Sequence, residues 1–336
     1  MNTRVIQLGI LLLVLGATAA HAQGPLYRQT AKFEIGGEGG WDYINYDPSS
    51  NRLLVGHSTE ITVIDVASGK KIGSVPATGA HGAVVDPEKK LGFSTNGRAG
   101  TVTVFDATTF QPKQDIKVGD GPDAILFDPY SKKVVEVNGR SKDMMVINPE
   151  SLKVETTIAL GGAPEAMVSD ASHVYVNVED TSEIASVDSK TWKVDHRWKL
   201  TGCEGPSGLA LDEETNHLFS VCENKKMAVV DLKNGNVIAT VDTGAGTDGA
   251  AFDSELGNAL ASNGRDGTLT VVQLRNGKYE TAGQVPTQIG ARTIAVDSKS
   301  HKVFLPVAEY LPAVAGQQRR PVKPGTFAIL VFEPAK

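Results

Sequence analysis

Cysteine is almost missing from this chain. Only Cys203 and Cys222 occur in 336 residues, and their spacing matches neither a paired metal–thiolate motif nor c-type haem attachment. A disulfide between them would contribute about 3 kcal/mol if unstrained; two free, buried thiols are the alternative. Also lacking are a glycine-rich phosphate loop, a nucleophile elbow and paired zinc-binding histidines. Those absences disfavour nucleotide-driven and serine-hydrolase chemistry. No stretch of helical periodicity reaches useful length. The net charge is only −6, too mild and of the wrong sign to attract a phosphate backbone, so nucleic acid is not an expected partner.

Long apolar runs are equally scarce, and the one present is at the start. Arg4 precedes "VIQLGILLLVLGATAA", and "AHA" at 20–22 supplies a small-x-small cleavage pattern before Gln23. The expectation is an export signal over residues 1–22 and a mature chain over 23–336 that is periplasmic or secreted. A membrane anchor competes, but the run is short for a span and no second one follows. No cysteine stands at the new N-terminus to carry a lipid. A disulfide suits such an oxidising space.

What the chain has in abundance is repetition. "TNGRAGTVTVF" (95–105), "VNGRSKDMMVI" (137–147) and "SNGRDGTLTVV" (262–272) are variants of one turn and strand. An aspartate closing a short apolar strand recurs at Asp47, Asp86, Asp128, Asp170, Asp212, Asp253 and Asp297, at intervals of 39, 42, 42, 42, 41 and 44 residues. This is a seven-fold tandem repeat. Each unit reads as four short strands: one ending at the aspartate, a second such as "KLGFST", a β-branched third such as "TVTVFD", and a fourth such as "GNVIATVD". A sheet that small cannot bury both faces alone, whereas seven around an axis can, so the expected fold is all-β, a seven-bladed β-propeller in one domain. The seventh unit runs out after "FAILVFE" (327–333), while "YRQTAKFEI" (27–35) precedes the first. The N-terminal strand is therefore expected to complete the last blade and cover its edge.

"FSTN" (93–96), "VEVN" (135–138) and "VYVN" (174–177) end the second strands in the manner of YVTN-type propeller repeats. The resemblance covers essentially the whole mature chain and implies architecture; exported members of that family have diverse roles. In the Asn-Gly-Arg turns, Asn-Gly is expected to supply positive φ angles. Arg98, Arg140 and Arg265 then project as solvated turn residues or as an anion-contacting crown.

Side chains at the start of each innermost strand converge on one axial funnel. Five residues before each repeat aspartate stand Asp42, His81, Asp123, Glu165, Ser207, Asp248 and Arg292. Four carboxylates and an imidazole at one mouth repel unless protonated, solvated or bridged by a cation. Oxygen donors suit Ca²⁺, Mg²⁺ or Mn²⁺, and His81 admits Zn²⁺; polar residues lining a wet channel are the plainer reading. "PDAILFD" (122–128), "PEAMVSD" (164–170) and "TDGAAFD" (247–253) resemble the inner strands of gluconolactonase and senescence-marker propellers. That resemblance implies Asp42, Asp123, Glu165 and Asp248 as metal ligands, although asparagines typical of two family positions are missing here.

Trp41 stands beside Asp42, either stacking on a ligand or packing between blades. In the seventh unit "EYLPAVAGQQRRPVKPG" (309–325) replaces a short turn, and Arg319, Arg320 and Lys323 can bring positive charge over the funnel. Cys203 and Cys222 fall on adjacent strands at the same face. The leading expectation is an exported, monomeric binding module for a small ligand, metal ion or protein partner. The alternative is a metal-dependent lactonase using the funnel carboxylates.

Overall fold

The computed structural model describes residues 26–313 and 320–335; the expected export signal over 1–22 and Arg319 lie outside them. The described residues form seven four-stranded antiparallel sheets, numbered here β1 to β28 in chain order, and one short 3₁₀ turn at Glu179–Thr181. The seven-bladed propeller is what the repeat predicts.

Burial explains the composition of each strand type. The second and third strands of a blade are covered on both faces by neighbouring blades. β7 (Leu91–Asn96) and β8 (Thr101–Asp106) are accordingly continuous runs of buried residues, as strands sandwiched on both sides must be. Fourth strands stand at the rim: β13 (Lys153–Ala159, "KVETTIA") alternates between exposed and partly buried positions. The core is divided between blades. Val135, Val137, Met144 and Val146 of the third blade, for example, pack against Val174, Val176, Val178 and Ala185 of the fourth.

The recurring aspartate is a turn device. Asp86 accepts from the amides of Glu88 (3.0 Å) and Lys89 (3.1 Å). Asp170 does the same for Ser172 and His173, and Asp253 for Glu255 and Leu256. Each carboxylate thus closes an Asx turn between first and second strands, which accounts for its recurrence without any chemistry.

The ring closes as expected. β1 (Tyr27–Glu34) pairs antiparallel with β28 (Ala328–Pro334), so the last blade has the order β1–β28–β27–β26, with β27 at Lys302–Val307 and β26 at Ala295–Asp297. N- and C-terminal segments of the described chain thereby share one sheet, and β28 is paired on both sides.

The disulfide forms. Cys203 and Cys222 are bonded with Cα atoms 5.5 Å apart, both buried. They tie the link before β18 (Pro206–Asp212) to the end of β19 (His217–Cys222).

The innermost strands share one irregularity. In β2 (Trp41–Asp47), β6 (Ala80–Asp86), β10 (Pro122–Asp128), β14 (Pro164–Ser169) and β18, pairing with the second strand breaks between the first residue and the fourth. In β22 (Thr247–Asp253) it breaks around Asp248. Such bulges re-aim side chains away from the ladder. Every funnel position from Asp42 to Asp248 falls inside one.

Candidate functional site: an axial cluster of acids and two internal cations

The bulges bring the predicted positions together. His81 Nδ1 lies 2.5 Å from Asp42 Oδ2 and 3.0 Å from Asp123 Oδ1, joining blades one, two and three. Arg292 bridges the other way. One guanidinium nitrogen bonds Asp248, and the other donates to Asp42 Oδ1 (3.1 Å) and to the Trp41 carbonyl (2.6 Å). Thr293 Oγ1 donates to the Asp42 carbonyl at 2.8 Å. These contacts explain why β26 is only three residues long: the residues before it are turned inward to hold the first blade. Ser207 donates to backbone carbonyls of Val221 and Thr247.

The charges are arranged so that repulsion is met from within. Burial opposes ionisation of Asp42, but His81 and Arg292 outweigh it and hold the carboxyl below its usual range. Burial likewise disfavours the His81 imidazolium, yet hydrogen bonds and charge from Asp123 and Asp42 raise it to about 10. Asp123 moves upward: burial and the neighbouring Asp42 outweigh the help of His81. Among the described residues, Glu165 has no cationic partner. Burial, then the charges of Asp123, Glu179, Asp248 and Asp42, push it up to about 9, so it carries a proton at neutral pH. Arg292, partly buried, is held firmly protonated by Asp42 and Asp248.

Among the described residues, Asp42, His81 and Asp123 have donor atoms that all lie within 4.8 Å of one another. One nitrogen and two carboxylate oxygens can hold a divalent cation. Asp248 is engaged by Arg292, and Glu165 stands beside the triad as a neutral acid.

One residue escaped the sequence reading. Tyr43 follows Asp42, and its hydroxyl donates to Glu165 Oε2 at 3.4 Å. Burial and four surrounding carboxylates raise its phenol well above the ordinary value. The signal was available at the next repeat position, where the other six blades carry only small residues.

The Asn-Gly-Arg turns are built differently from the expectation. Gly97, Gly139 and Gly264 do not have positive φ; that conformation falls later in each turn, at Gly100 (66°), Lys142 (58°) and Gly267 (64°). Asn96 instead ends β7 with its side chain buried, donating to Thr101 and Thr103, and Asn263 does the same to Thr268 and Thr270. Gly97 and Gly264 provide clearance. A Cβ on Gly97 would lie 2.4 Å from His81 Nε2, and one on Gly264 would lie 2.7 Å from Arg292 Cβ. Two of the three repeated turns are thus shaped around the two cations of the site, while Gly139 is under no such constraint.

The arginines of those turns stay on the periphery. Arg140 bonds Asp120 (2.8 Å) and the Gly97 carbonyl (2.9 Å); Arg98 and Arg265 lie over Gly79 and Gly246. The Trp41 ring is buried against Tyr310 and Phe327, and only its carbonyl reaches the cluster. Of the insert, the base is a short hairpin in which Tyr310 bridges Val322 and Lys323 pairs with Glu309 at 2.7 Å. Arg320 is exposed.

No protein-family model matches the chain, and no curated protein is significantly similar to it in sequence. Among solved structures, the hydrazine synthase of Kuenenia stuttgartiensis is similar in fold, with a TM-score of 0.69 at 15% identity, over 82% of this chain and 94% of that one. The likeness defines the class, a seven-bladed β-propeller, and nothing about activity. The YVTN resemblance is not carried by a family match; the propeller architecture it implies is observed.

Proposed function

We propose that this is an exported, monomeric binding module whose axial cluster takes a divalent cation on Asp42, His81 and Asp123. One observation carries the reading: three ligand atoms from three successive blades converge within 4.8 Å. Because the shared central donor is an imidazole nitrogen, Zn²⁺ suits the set better than Ca²⁺, Mg²⁺ or Mn²⁺. A disulfide among the described residues and the leader-like residues 1–22 support a periplasmic or secreted location.

The cation competes with a proton. His81 holds its proton up to about 10, and a ligand must give it up, so affinity should rise as pH rises through the neutral range. Calorimetric titration of chelator-treated protein with Zn²⁺ and Mn²⁺, with elemental analysis of untreated protein, tests the reading. One equivalent should bind, and His81→Ala or Asp123→Ala should abolish it. Absence of binding between pH 7 and 9 refutes the proposal.

A second reading is favoured by Glu165. A carboxyl protonated at neutral pH beside a metal set is equipped to donate a proton to a leaving alkoxide, as a metal-dependent lactonase requires. Turnover on a lactone panel, lost in Glu165→Gln while cation binding persists, would establish it; no turnover with cation bound would leave the binding module.

A further inference from the structure

Position by position, the inner strands carry Gly82, Ala124, Ala166, Gly208, Gly249 and Thr293 where the first blade carries Tyr43. Six blades keep this layer small because neighbouring inner strands approach closely there. A Cβ on Gly208 would lie 2.4 Å from the Ala250 amide nitrogen, and one on Gly249 would lie 2.9 Å from Ile294 Cγ2. The first blade departs from the rule and spends the space on a phenol. A Cβ on Gly82 would sit 3.7 Å from both Cβ and Cδ2 of Tyr43. Further out, the ring packs with the cluster containing Ala124 and Leu126 of the third blade. The hydroxyl ends on Glu165 of the fourth. In a ring of seven, a side chain that starts on blade one and ends on blade four crosses the axis.

We infer that Tyr43 is the floor of the axial site: it stops the central passage, so that a ligand reaches Asp42, His81 and Asp123 only from the face carrying the turns between second and third strands. This deepens the proposed function and rests on it for its ligand. The phenol is suited to the task. Its ring is rigid, its edge meets small apolar residues, and its hydroxyl finds an acceptor where a phenylalanine would leave the Glu165 carboxyl facing carbon.

A floor has a kinetic signature that a structural role lacks. Opening a second route to an unchanged set of donors raises association and release by one common factor and leaves the equilibrium constant where it was. Stopped-flow Zn²⁺ binding, and release into excess chelator, would be followed for wild type, Tyr43→Phe and Tyr43→Ala. Expected are wild-type rates for Tyr43→Phe and a common acceleration on the order of tenfold for Tyr43→Ala, with Kd unchanged. Unchanged rates in a folded Tyr43→Ala, equal acceleration in Tyr43→Phe, or a change confined to Kd would overturn the inference.

A second arm needs no cation. Tyr43→Gly should bind 4-methylphenol in the vacated space, with a saturable rise in melting temperature that Tyr43→Phe does not show. If wild type takes no cation, the binding reading fails and this arm alone decides the floor. Absence of 4-methylphenol binding by Tyr43→Gly then removes it.

Discussion

Glu136→Gln should stabilise this protein above neutral pH and do little in acid. Glu136 lies on β11 (Lys133–Asn138) with no exposed surface. Its Oε1 accepts from Asn138 Nδ2 at 2.9 Å, while Oε2 is buried without a partner, as is Asn138 Oδ1. Burial, with a smaller contribution from Asp143, pushes its carboxyl up to about 8 against an ordinary 4.5. The folded protein therefore keeps this proton where the unfolded chain has released it. Stability from this group is complete below pH 4.5 and is lost as pH rises through 8. At ~1.4 kcal/mol for each unit of separation, the whole loss is about 5 kcal/mol. Glutamine has the same shape and no charge, so it abolishes the slope. Urea unfolding at half-unit steps from pH 4.5 to 9 measures both proteins. The curves should nearly coincide at pH 4.5 and diverge by about 5 kcal/mol at pH 8.5, glutamine above. Parallel curves over that range would refute the reasoning, because they would mean that Glu136 ionises as easily folded as unfolded.

Other consequences are as direct. Imidazole resonances of His81 should report a protonated ring at pH 8, and its contribution to stability should fade only as pH climbs toward 10; titration near 6.5 would contradict the pairing with Asp42 and Asp123. Replacing Cys203 and Cys222 together by serine should cost about 3 kcal/mol in an unfolding titration, and thiol assay of native wild type should find none free. Deleting residues 23–34 should uncover the edge of β28 and shift the protein to larger species on size exclusion than wild type; an elution no larger than that of wild type would mean that the ring does not need β1. Gly97→Ala should cost about 1–3 kcal/mol and displace His81, whereas Gly139→Ala, whose nearest neighbour would be 3.9 Å away, should be well tolerated.

Much of the fold was legible because its cause is periodic. Seven aspartates at near-constant intervals each make the same Asx turn, and the β-branched runs between them mark strands covered on two faces. Ring closure was legible from a missing fourth strand and a spare first one. The funnel set was legible for the same reason, since one offset from each aspartate names one ring of side chains. Pairings within that ring were not. Which acid meets Arg292 and which meets His81 depends on the bulge at the head of each inner strand, and nothing in "WDYIN" or "PDAIL" announces one. Asn-Gly misled because a propensity for positive φ is a local preference, whereas the glycines at 97 and 264 answer to a side chain from another strand. Buried Glu136 was hidden similarly: in "VEVN" a glutamate reads as the solvent-facing residue of a half-covered strand, and only the neighbouring blade makes it interior.

The site and the closure of the ring are one structure. The rim of the last blade is fastened by β1, but its inner end is not laddered to the second strand until Ala295. There the fastening passes to Arg292 and Thr293, which hold Asp42, Asp248 and the Trp41 carbonyl. An arginine placed in this way engages Asp248 and one oxygen of Asp42, and leaves the other oxygen of Asp42 turned to His81. Arg292→Lys keeps the charge but lacks the fork needed to reach three acceptors. It should therefore loosen the junction of the first and last blades, seen as faster amide exchange in β2 and β26, while β10 and β11 stay protected. Uniform protection throughout would mean that the outer strand alone holds the ring.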